Sequence, residues 1–170
     1  MKETHIILRE RALTNSSINA KMAEISELYG DYIEFLLSPN IFAIESSFVK
    51  EVFSLKEITP VPGTPQFISG LINIRSRIYS VLNLKPLLAV REKGLTDMNK
   101  VLLIENSNSS FGLIADKVIG KKAFLKDEIH EPPANLGEFG GEFIIGVSES
   151  GTILLSAEKI LNCKKIIINQ

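Results

Sequence analysis

Apolar residues recur along this chain at two different periods, and the switch between them falls near residue 30. Before it, Ile18, Met22, Ile25 and Leu28 are spaced by four, three and three. That spacing lines one face of a helix over Ser17–Tyr29, with Ser16 or Ser17 as its cap and Gly30 as its stop. From Asp31 the period becomes two: Ile33, Phe35 and Leu37 lie on one side of a strand, Tyr32, Glu34 and Leu36 on the other. Ser38-Pro39-Asn40 is a tight-turn signal, and Ile41 to Glu45 returns as a second strand, so a hairpin is expected.

Short strands continue to the end. Val61 to Leu84 reads as a Pro-Gly-Pro turn (Pro62, Gly63, Pro65), an apolar passage through Ile74, a polar Arg75-Ser76-Arg77 turn, and a strand from Ile78. Lys85 to Lys93 is a turn-prone or helical link and Gly94 to Asn99 a loop. Lys100–Glu105 and Phe111–Ala115 flank the turn Asn106–Ser110, and the second strand is expected to run on through Asp116 to Gly120. Lys126 to Gly141, with Pro132, Pro133 and several glycine or asparagine breakers, predicts a long surface loop. Phe143–Val147 and Thr152–Leu155 follow as strands, and Ser156 opens a brief helix with Ile160 and Leu161 inward. Nine or ten short strands joined by hairpins, with hardly any helix after Gly30, predict a mainly β fold of small antiparallel barrels and disfavour a parallel α/β fold. The expected organisation is a helical lead segment, 1–30, and one domain, 31–170.

Composition narrows the function classes. The 170 residues are 45% hydrophobic and 23% charged, which suits a folded globular chain able to bury about 70% of its unfolded surface. The longest apolar runs, Val101–Ile104 and Phe143–Val147, are too short for a membrane span, and the first residues make a poor signal peptide, so a cytoplasmic protein is expected. Cys163 stands alone, which excludes an internal disulfide. A net charge of −1 provides no global field toward nucleic acid or anionic lipid, so partners must be recognised by local surface.

The central stretch carries a family resemblance. Thr64-Pro65, Phe67-Ile68 and Gly70 feed a strand that ends Asn73-Ile74-Arg75. With Val49-Lys50-Glu51-Val52, and with Gly112, Leu113, Asp116 and Val118, this layout resembles the CheW-like adaptor domain over Asp31–Leu161. Ser76, Ser80 and Asn83 stand where that family usually has Gly, Pro and Asp. The resemblance implies two five-stranded β-barrels sharing a hydrophobic junction, and a stand-alone, non-catalytic adaptor without cofactor or metal. It implies as partners the regulatory domain of a CheA-like chemosensory histidine kinase and the cytoplasmic tip of methyl-accepting chemoreceptors, in a receptor array. Carried over residue by residue, Val49, Glu51 and Arg75 are expected on the receptor side, Gly70 and Val52 near the kinase side, and Asp116 and Val118 by the groove between barrels.

Bland readings stand beside these. The valines are ordinary core candidates, Gly70 serves equally for a close backbone approach, and Arg75 is either a partner contact or a brace for its own turn. Glu51 and Asp116 call for solvent, a cationic neighbour or a binding role. Arg75, Arg77, Lys85, Arg91 and Lys93 form a local basic set, which admits a barrel-type nucleic-acid binder, although Tyr79 alone makes no base-stacking platform. A small enzyme using Cys163, with His130 as a base, is the third reading, but no nucleophile elbow, phosphate loop or dinucleotide fingerprint supports it.

Overall fold

The computed structural model describes residues 28–91, 94, 98–132 and 140–166. The helix read over residues 17–27 lies outside them, but Leu28 and Tyr29 are already strand. The first strand, β1, spans Leu28–Leu37, so the extended segment begins three residues before Asp31. Gly30 sits at a register irregularity within it rather than at a helix end.

Among the described residues ten more strands follow β1: β2 (Asn40–Glu45), β3 (Val49–Ser54), β4 (Ile68–Ile74), β5 (Arg77–Leu82), β6 (Lys100–Glu105), β7 (Ser110–Ala115), β8 (Lys117–Leu125), β9 (Ile129–His130), β10 (Ile144–Ser148) and β11 (Ile153–Leu155). They form two sheets, a six-stranded one in the order β8-β1-β2-β11-β10-β9 and a five-stranded one in the order β3-β6-β7-β5-β4. The fold is mainly β, as expected, with six strands rather than five in one lobe because β9 adds a two-residue edge. Pairing is mostly antiparallel; β11–β2 and β5–β7 are parallel, a connectivity that hairpin signals do not reveal.

Each sheet curls on itself. β8 and β9 are the two edges of the six-stranded sheet, yet only a 3-10 turn, Lys126–Glu128, separates them. In the five-stranded sheet the chain after β3 returns against β4 through the Thr59–Leu71 bridge. Each lobe encloses a small core: Tyr32, Ala43, Phe124 and Leu154 in one, Ile72, Val81, Val101 and Ile114 in the other. The largest cluster lies between the lobes and takes Phe35, Leu37 and Ile44 from the first sheet and Leu82, Leu102 and Leu113 from the second. Period-two alternation explains this: both faces of β6 and β7 are apolar, so one face fills the lobe and the other the junction.

Two short helices close the molecule, α1 (Gly140–Phe143) and α2 (Ala157–Leu161). The Ser156 hydroxyl accepts the Lys159 N–H at 3.3 Å and caps α2, which buries Ala157, Ile160 and Leu161 in the junction.

Candidate partner-binding surface

The β4–β5 hairpin turns on two residues, Arg75 at φ 50° and Ser76 at φ 65°. Two consecutive left-handed residues make the tight turn that matches strand twist, a turn normally built on Asn-Gly. Neither residue here is glycine, so the turn holds conformational strain that a Gly at position 76 would relieve. It projects Arg75, whose side chain is 78% exposed, toward β3, where a guanidinium nitrogen donates to Glu51 Oε1 at 2.6 Å. This pair spans the two open edges of the five-stranded sheet. Between those edges lies an open pocket of about 200 Å³, lined by Glu51, Phe53, Ser54, Lys56 and Ile72 to Arg75. Val52 and Ile78, on β3 and β5 of the same lobe, are exposed at 40% and 68%. An exposed charge pair on a lobe that also leaves aliphatic side chains uncovered is the composition of a protein-binding surface.

A second site candidate behaves differently. Asp116 is the single residue between β7 and β8, where the chain passes from one sheet to the other. The strand expected to run unbroken through it is therefore two strands in two sheets. Its carboxylate accepts the Ser38 N–H at 2.7 Å, the Lys85 ammonium at 2.6 Å and the Asn99 amide at 3.1 Å. Burial by itself raises this carboxyl; the Lys85 hydrogen bond and charge, with the Ser38 and Asn99 donors, outweigh it and hold the group below the usual carboxylate range. The Lys85 side chain is 4% exposed, so it is no part of a solvated basic patch. With Arg75 paired to Glu51, two of the five residues in the basic set read from the sequence are committed to ion pairs, one exposed and one buried, while Arg77 and Arg91 are exposed and Lys93 lies outside the described residues.

The remaining expectations fall into place around these two pairs. Val49 and Val118 are half-buried against the junction core. Gly70 is buried, and a side chain there would run into the Thr59 carbonyl oxygen, so its absence lets the chain after β3 pair with β4. The structure thus joins Glu51 to Arg75, leaves Val52 exposed beside them, and gives Gly70, Val49, Val118 and Asp116 clear structural work. The sequence reading missed Ile78, Lys56 and the Lys85–Asn99 part of the buried cluster. The available signal was Lys85 directly after Val81-Leu82-Asn83-Leu84, a charged residue closing a mostly apolar strand end whose residues are buried.

Among the described residues, no group of three His, Cys, Asp or Glu side chains is placed to hold a metal ion. His130 Nε2 approaches Glu149 at 3.9 Å on the surface, and Cys163 packs partly against the junction core. No helix among those residues is long and apolar enough to cross a membrane.

Fold and surface together define a two-lobed β adaptor. The sequence model of the CheW-like domain matches residues 31–165. The chain belongs to that family, a family of scaffold and adaptor proteins rather than enzymes. Its relatives include the chemotaxis protein CheW of Treponema pallidum, 27% identical over 141 residues, covering 79% of this chain and 83% of the relative. The FrzA protein of Myxococcus xanthus is 29% identical over 125 residues, 73% of this chain and 76% of its own. Among solved structures, the scaffolding protein TtCheW of Thermoanaerobacter tengcongensis superposes with a TM-score of 0.65 at 26% identity, over 74% of this chain and 88% of that one.

Proposed function

We propose that this protein is a non-catalytic coupling adaptor that holds the regulatory domain of a chemosensory histidine kinase against the cytoplasmic tip of chemoreceptors. The carrying observation is the Glu51–Arg75 pair, exposed between the open edges of the five-stranded lobe, on which Val52 and Ile78 are also left exposed. A guanidinium pre-oriented by a strained turn and an acidic neighbour is well suited to bidentate recognition on a partner. Family membership supports the same reading. Val52, Glu51 and Arg75 are the contact residues under this reading, while Val49, Gly70, Asp116 and Val118 act through the shape of the lobes. Receptor tips are helical under this reading, so the contact is a helix against an apolar surface with a polar rim, and clustering in an array strengthens contacts that are individually modest. The protein works in the cytoplasm at receptor arrays.

The test is a pull-down with a kinase regulatory domain and, separately, a receptor-tip fragment, using the parent, Arg75→Ala and Val52→Asp. Both substitutions are at exposed positions, so the folded variants are expected to lose one or both partners. Undiminished capture of both partners by folded variants would refute the site assignment. A nucleic-acid binder is disfavoured, since Lys85 is buried and spent on Asp116 rather than on a solvated basic patch.

A further inference from the structure

The five-stranded lobe is an insertion in the six-stranded one. The chain leaves the six-stranded sheet after β2 through the 3-10 turn Ser46–Phe48 and comes back, five strands later, through Asp116 alone. A one-residue crossover transmits its own geometry to both sheets. Its backbone N–H donates to Leu36 O, in β1 of the six-stranded lobe, at 2.8 Å. Its carboxylate takes one donor from that same lobe, the Ser38 N–H in the β1–β2 turn. The other two donors come from the five-stranded lobe: Lys85, just past β5, and Asn99, just before β6. The Asn99 amide also reaches Ala115 O at 3.2 Å. Elements of both lobes therefore meet on one side chain.

The apolar junction around this cluster is large, but apolar contact has no preferred direction, and a packed interface alone tolerates small slides and rotations. Hydrogen bonds to a buried charge have direction, and their cost when misaligned is high. We propose that the Asp116 cluster sets the angle between the two lobes, making Asp116 and Lys85 positioning residues for the surface along which the lobes meet. Under this proposal the Lys85–Asp116 pair contributes conformational specificity between the lobes more than net stability.

Pulsed EPR between labels on the two lobes tests this directly. Labels go on Arg77→Cys in β5 and Ala123→Cys in β8, both exposed, in a Cys163→Ser background because Cys163 is the chain's one cysteine. The parent is expected to give one narrow distance distribution. Lys85→Met/Asp116→Ala removes both charges together, and is expected to broaden that distribution about twofold while unfolding stays cooperative. An unchanged distribution overturns the proposal. So does collapse of the double variant, because each lobe keeps its own core under this account. Lys85→Met alone, which strands a carboxylate that retains two donors, is expected to broaden the distribution less.

The consequence for binding rests on the proposed receptor reading and is read separately. The double variant is expected to bind a receptor-tip fragment about tenfold more weakly. Broadened distances with unchanged receptor affinity would overturn the link to binding and leave the lobe-angle result intact.

Discussion

Two ion pairs in this protein have the same length, 2.6 Å, and the same charges, yet they do opposite jobs. Arg75–Glu51 stands at a hairpin tip with the arginine 78% exposed, where water screens it and competes for its hydrogen bonds. Lys85–Asp116 lies at the lobe junction with the lysine 4% exposed, where losing one partner strands the other charge. Exposure, not distance, decides that the first is available to another protein and the second is spent on this one.

The sharpest way to break the comparison is at the buried pair. Asp116→Ala leaves the Lys85 ammonium without its carboxylate and is expected to cost about 3–5 kcal/mol, read from urea or thermal unfolding. The Lys85→Met/Asp116→Ala double variant is expected to recover most of that loss. A single-variant cost no larger than that of a surface substitution would mean that the pair is solvated and the contrast false.

Next in size is the strain beneath the exposed pair. Ser76→Gly is expected to stabilise the protein by about 1 kcal/mol, because glycine adopts φ near 65° without the steric cost that serine meets. A neutral or destabilising result would show that the serine side chain offsets its backbone strain.

Acid titration separates two carboxyls that the fold shifts in opposite directions. Burial, opposed in part by the Ala157 N–H that donates to it, holds Glu45 above its ordinary 4.5. A raised carboxyl opposes folding once ionised, so acidification from neutral pH relieves that cost, fully so below 4.5. Asp116 is held below its ordinary 3.8, so its contribution is present above 3.8 and is lost as pH falls through its lower folded value. Stability is therefore expected to rise slightly on mild acidification and to fall at stronger acid. Glu45→Gln should abolish the rise, and Lys85→Met should flatten the fall, in denaturant midpoints measured against pH.

The smallest expected effect on stability is at the tip. Arg75→Ala should change unfolding free energy by no more than about 0.5 kcal/mol, as exposed pairs do. Its consequence should appear in partner binding, with a loss of about tenfold or more.

Much of this architecture was legible from local pattern. Period-two alternation located β1, while short apolar runs bounded by turn signals located β2, the β6–β7 hairpin and both strands of the last hairpin, β10 and β11, and Asn106 did mark a turn, accepting the Asn108 and Ser109 N–H groups. The break at Asp116 escaped notice because no Gly, Pro or Asn turn signal separates Ala115 from Lys117, and a change of sheet needs only one residue. The parallel β5–β7 and β11–β2 pairings were equally hidden, since strand neighbours distant in sequence leave no local signal. At the candidate site, motif layout brought Glu51 and Arg75 forward as separate receptor-side candidates, and their ion pair is visible only in the structure. Motif layout could not separate them from Asp116, whose burial depends on Lys85 and Asn99 arriving from other loops.

Under the proposed function this protein bridges two others at once. Receptor-tip fragment immobilised on a surface, challenged with a kinase regulatory domain, measures that directly. The kinase domain should be retained when this protein is added and pass through when it is omitted or replaced by Arg75→Ala. Competition, in which each partner displaces the other from the folded protein, would contradict it.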